Sequence, residues 1–71
     1  MEILVFRTNI VTQEQKRLLG SLMSRHPDIQ RWNVDNWDID NVLRIESHSD
    51  CSNNVVDSLN QAGLKCEPLE D

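Results

Sequence analysis

The sequence predicts an α+β domain: a four-stranded antiparallel sheet with two helices on one of its faces. Three observations carry that expectation. Apolar residues recur at helical spacing in two stretches, 18–23 and 55–62. Short runs of strand formers precede, separate and follow them. The resulting order is β-α-β-β-α-β in 71 residues, about one small domain of chain.

Residues 1–7 (MEILVFR) read as the first strand, and Thr8 and Asn9 break it. Thr12 is a good N-cap, and Gln15 three residues later completes a capping box. Leu18, Leu19, Leu22 and Met23 then form one apolar face. Glu14 in the first turn and Arg25 and His26 in the last suit the helix dipole. Gly20 weakens the helix a little, and Pro27 ends it.

Residues 29–34 (IQRWNV) read as a second strand with Trp32 and Val34 on one face. Residues 35–41 (DNWDIDN) are turn chemistry. Residues 42–46 (VLRIE) make the third strand, with Leu43 and Ile45 on one face and Val42 and Arg44 on the other. The two strands form a hairpin with a loop longer than the tight two-residue types. The next helix starts within 48–53, capped by Asp50 or Ser52, and carries Val55, Val56, Leu59 and Ala62 as its stripe. Gly63 stands where a helix C′ glycine belongs. Residues 64–69 (LKCEPL) read as a last strand, with Leu64, Cys66 and Pro68 on one face. Pro68 cannot donate to a ladder, so this strand belongs at an edge. The whole is the ferredoxin-like, or split βαβ, plan, with spatial order 4-1-3-2.

Charge narrows the function. Seven Lys and Arg against twelve Asp and Glu leave a net charge of −5. A nucleic-acid binder that tracks the backbone needs a basic face, and none is supplied. RNA-recognition domains of this plan stack bases on sheet aromatics. This chain has one Phe and no Tyr, so that use is rejected. No apolar run approaches a membrane span, there is no polybasic patch, and the N-terminus lacks signal-peptide features. Two cysteines are too few for a disulfide scaffold, and a cytoplasmic protein is expected. No serine has a plausible base, no glycine-rich loop cradles phosphate, and no carboxylate pair has reason to be buried. An enzyme is not expected, nor a cofactor.

Asp28-Ile29, Trp32-Asn33-Val34-Asp35 and Ala62-Gly63-Leu64, set in this element order, resemble the heavy-metal-associated domain of copper chaperones and metal-pumping ATPases. The resemblance covers nearly all of 1–71, as a single domain. It implies a Met-x-Cys-x-x-Cys loop before the first helix. Counted back from Ile29, the two cysteines fall on Thr12 and Gln15, and the methionine on Ile10. Soft Cu(I) is held by thiolates, whereas a hydroxyl and a carboxamide are neutral and hard. The shape therefore resembles the chaperones without their metal motif. The resemblance also implies that Val5 and Arg7 point inward from the first strand.

The remaining candidates are few. Cys66 alternates with Leu64 and reads as a small buried hydrophobe. Cys51 lies near a helix start, where a dipole lowers thiol pKa values, and the topology holds it apart from Cys66. His26, His48, Asp50 and Cys51 could gather at one end of the sheet as zinc or nickel ligands. Asp35, Asp38 and Asp40 faintly resemble a calcium loop but miss the EF-hand spacing. Trp32 reads as core. Trp37 and Ile39 lie in the hairpin loop, folded over the sheet edge or exposed as a contact, and Trp is favoured at interface hot spots.

Two readings follow. The first is a small non-enzymatic interaction module that has lost its metal site. Its contact surface is Ile10, Val11, Trp37 and Leu64, at the pole where three loops converge. The acidic rim of Asp35, Asp38 and Asp40 favours a protein partner with a basic surface. The alternative is a metal carrier using His26, His48 and Cys51.

Overall fold

The computed structural model describes residues 1–69. Six elements follow in the expected order: β1 (Glu2–Thr8), α1 (Gln13–Met23), β2 (Ile29–Asp35), β3 (Val42–Ser47), α2 (Ser52–Gln61) and β4 (Cys66–Pro68). The strands form one sheet in the order β2-β3-β1-β4, and all its pairings are antiparallel. This is the expected 4-1-3-2 order read from its other edge.

Register decides which side chains meet the helices. Leu4 pairs Ile45 and Phe6 pairs Leu43 across β1 and β3, while Trp32 and Val34 on β2 meet the same two β3 residues. These rows join Leu19, Leu22, Met23, Val55 and Leu59 from the helices in one core. The inward positions of β1 are thus Leu4, Phe6 and Thr8. The assignment of Val5 and Arg7 to the core is overturned: Val5 is half-buried and Arg7 exposed. A one-residue shift sends every side chain to the other face. On the outer face the Arg7 guanidinium reaches water and Asp40, 3.1 Å away. Val42, also on that side, is nonetheless buried.

On α1 the stripe holds except that Leu18 sits at the rim, partly exposed. A Cβ on Gly20 would lie 3.5 Å from the Trp32 ring, an ordinary contact. The ring of Trp32 therefore packs against the helix at its smallest residue.

Strands β1, β2 and β3 each run one residue further than expected, so Thr8 extends the first strand and pairs with Cys66 instead of breaking it. Three other boundaries differ. Helix α1 stops at Met23, so Arg25 and His26 lie beyond its last turn. The turn before β2 needs those residues: Arg25 N–H donates to Leu22 O, His26 N–H to Met23 O and Ile29 N–H to His26 O. The N-cap of α2 is Cys51, with no side-chain cap bond, rather than Asp50 or Ser52. Asp50 still accepts from the Ser52 N–H and hydroxyl, from one residue further out. The Ser52 hydroxyl, then its N–H, holds the Asp50 carboxyl below its usual range. Finally, β4 is three residues long, because Leu64 closes the helix instead of opening the strand.

That closure is a Schellman motif. Gly63, at φ 89°, donates to Asn60 O, and Leu64 N–H donates to Leu59 O. A positive φ at C′ favours glycine, and the buried Leu64 and Leu59 supply the accompanying apolar contact. Pro68 is exposed on the edge strand, as expected. Among the described residues no helix is long and apolar enough to cross a membrane.

Candidate functional site: the pole where three loops meet

The loops 9–12, 36–41 and 63–65 converge at one pole and are fastened by hydrogen bonds. Thr8 is the hub. Its N–H donates to Asp40 O at 3.0 Å, and its hydroxyl donates to Asn41 O at 2.6 Å and accepts from Ile10 N–H at 3.1 Å. Asn36 Nδ2 donates to Ile10 O at 2.9 Å and to Asn41 Oδ1 at 3.2 Å, tying the hairpin to the first loop. Lys65 N–H donates to Asn9 Oδ1 at 3.0 Å, tying in the third. Short polar side chains on turns satisfy backbone groups in this way.

The hairpin loop is built from its own aspartates. Asp35 Oδ1 accepts from Trp37 N–H at 3.0 Å, and Asp38 Oδ1 from Asp40 N–H at 2.9 Å. Asn41 takes φ 46°, which an asparagine tolerates. With the carboxylates engaged beneath it, the loop leaves its apolar residues outside. Trp37 is fully exposed and Ile39 is 94 % exposed. Val11, in the first loop, is 57 % exposed.

The expected contact surface is therefore corrected at two of its four residues. Ile10 is fully buried and Leu64 nearly so. Ile10 turns inward because Thr8 and Asn36 hold the backbone groups on either side of it. Leu64 turns inward with the Schellman closure. Val11 and Trp37 remain, and Ile39 joins them. Of the two alternatives the sequence left open for Trp37 and Ile39, both side chains take the exposed one.

Thr12 and Gln15, where the resemblance implied the two metal cysteines, form a complete capping box. Gln15 N–H donates to Thr12 Oγ1 at 3.1 Å, and Gln15 Oε1 accepts from Thr12 N–H at 2.9 Å and Val11 N–H at 2.8 Å. These oxygens are occupied by backbone donors, and a neutral hydroxyl and carboxamide do not suit Cu(I). Thr12→Ala is expected to lower stability by about 1 kcal/mol, as loss of an N-cap does. A shifted urea midpoint with unchanged slope is the readout.

The opposite end gives the alternative site no support. Among the described residues no three His, Cys, Asp or Glu side chains come together as a metal centre. His26 Nε2 lies 3.2 Å from Ser58 Oγ, and Cys51 Sγ 3.6 Å from Ser47 Oγ. His26, His48 and Cys51 are thus not assembled into a metal centre. Cys51 and Cys66 are both free. Burial, then the neighbouring Glu67, pushes the Cys66 thiol up to about 11, so it stays protonated and inert at neutral pH.

Solved structures resemble the chain closely along its length. The copper transporter domain Ccc2a of yeast, solved in apo and Cu(I)-loaded states, superposes with a TM-score of 0.81 at 8 % identity. It covers all of this chain, and this chain covers 99 % of it. A structure described as "Crosstalk between Cu(I) and Zn(II) homeostasis" gives a TM-score of 0.79 at 11 % identity, over 97 % of this chain and 100 % of the other. No family model and no curated protein matches the sequence. The chain thus shares the fold of copper-handling domains.

Proposed function

We propose that this domain is a non-enzymatic protein-interaction module built on a copper-carrier fold whose metal loop has become a helix cap. The observation that carries this reading is the closed capping box. Both residues at the ligand positions accept backbone N–H groups there, and neither offers a thiolate. What the pole offers instead is Trp37, Ile39 and Val11 standing out over a rim of aspartates. An exposed aromatic with charged neighbours suits a protein partner with an apolar pocket and a basic surround, recruited by steering. The carrier alternative lacks a comparable observation, because its three residues do not converge.

Cu(I) competition against a chelator tests the reading. The chain is expected to bind no better than any protein with two free thiols. A tight one-to-one complex that survives replacement of Cys51 and Cys66 overturns it. Trp37 supplies a second measurement, in a Trp32→Phe background. Its emission is expected to be that of a water-exposed indole in the free protein and to shift to the blue with a partner bound. Blue-shifted emission in the free protein removes the contact surface.

A further inference from the structure

The two edges of the sheet are built differently. At one edge β4 is only three residues long and ends in Pro68. Short length and proline are the usual ways of blunting an edge. At the other edge β2 is seven residues long and contains neither proline nor lysine. Its one irregularity is a register shift between Ile29 and Arg31 against β3. That bulge spoils the first two residues as a template and leaves 31–35 regular. Within this stretch Trp32 and Val34, on the helix side, are only partly buried. Arg31 and Asp35, on the open side, are exposed.

The five residues Arg31-Trp32-Asn33-Val34-Asp35 read as their own complement when reversed. Antiparallel pairing with a second copy about a two-fold axis at Asn33 sets Arg31 opposite Asp35 and Asp35 opposite Arg31. On the other face it sets Trp32 opposite Val34, twice. Opposite-charge pairs and aromatic–β-branched pairs are the cross-strand contacts that stabilise antiparallel sheets. The neighbouring registers lose this match. An axis through Trp32 sets Arg31 opposite Asn33, and one through Val34 sets Asp35 opposite Asn33. Arg31 is also available for the exchange: its present partner, Glu46 on β3, is 3.9 Å away, and the Arg31 side chain is 83 % exposed.

We infer that β2 is a self-association edge, at which two copies of this chain pair antiparallel through Arg31–Asp35 in the register centred on Asn33. The product is a continuous eight-stranded sheet with a two-fold axis, an isologous interface. A five-residue pairing buries less than the roughly 1,000 Å² of a stable interface, so the dimer is weak and forms at high protein concentration. It leaves Trp37 outside the contact and shares with the loop pole Asp35, which accepts from the Trp37 N–H.

Charge reversal tests it by sedimentation equilibrium over a rising concentration series. Arg31→Asp is expected to weaken self-association about tenfold, because both symmetry-related pairs are lost. Adding Asp35→Arg is expected to restore it. Both side chains are exposed, so far-UV circular dichroism is expected to remain native. Because Asp35 also holds the Trp37 N–H, a second arm uses oxidation instead. In a Cys51→Ser/Cys66→Ala background, Asn33→Cys is expected to form a disulfide-linked dimer, since Asn33 faces its own copy within bridging distance. Arg31→Cys, facing Asp35, is expected not to. A chain that remains monomeric to millimolar concentration overturns the inference. So does equal cross-linking of the two cysteine variants.

Discussion

Replacing Ile10 with alanine is expected to lower the unfolding free energy by about 2–5 kcal/mol, the usual cost of truncating a fully buried aliphatic side chain. The adjacent change, Val11→Ala, is expected to move it by no more than about 0.5 kcal/mol. The contrast rests on burial alone: Ile10 has no exposed surface and Val11 is more than half exposed. Domains of this size bury a modest fraction of their surface, so the loss at Ile10 is a large part of the total stability. Urea denaturation of the two variants beside the parent chain measures it. Equal midpoints for both would mean that the first loop turns Ile10 outward, and the packing described for the pole would be wrong.

The second large effect is expected at Thr8. Thr8→Val preserves shape and removes one hydroxyl. That hydroxyl satisfies Asn41 O at 2.6 Å and Ile10 N–H at 3.1 Å, at a residue that is only 7 % exposed. Two backbone groups lose their partner together, and a buried unsatisfied group costs about 1–3 kcal/mol. The expected loss is about 2 kcal/mol. Amide hydrogen exchange at Ile10 is expected to accelerate in the same variant, because the opening is local. Loss of stability without faster exchange at Ile10 would place the damage elsewhere.

The sequence carried the architecture because each local signal agreed with the global plan. Thr12 and Gln15 spell a cap, the two stripes spell helices, and Pro68 spells an edge. All of these depend on neighbours within one turn of chain. Two of the errors have the opposite property. Whether Ile10 points in or out depends on Asn36, twenty-six residues away, and on Thr8, which looked only like a strand breaker. The inward set of β1 depends on pairing with β3, where a shift of one residue exchanges the faces. The end of α1 was misjudged because Pro27 marks the latest possible stop, whereas the turn into β2 required an earlier one. At the candidate site the exposure of Trp37 and of Ile39 was left open by the sequence, because it depends on how the loop's hydrogen bonds turn each side chain.

Asn36 has one more consequence. Its side chain bridges the base of the hairpin loop to the first loop, while Asp35 and Asp38 brace the turn above it. The indole is thus carried on a fixed stalk. A partner that captures Trp37 has little backbone left to immobilise, and the ordering penalty is confined to side-chain rotation, about 0.5–1.5 kcal/mol for each residue it holds. Cutting the stalk with Asn36→Ala would leave the same indole on the same loop at a greater entropic cost. A partner would then bind less tightly without having lost a single contact.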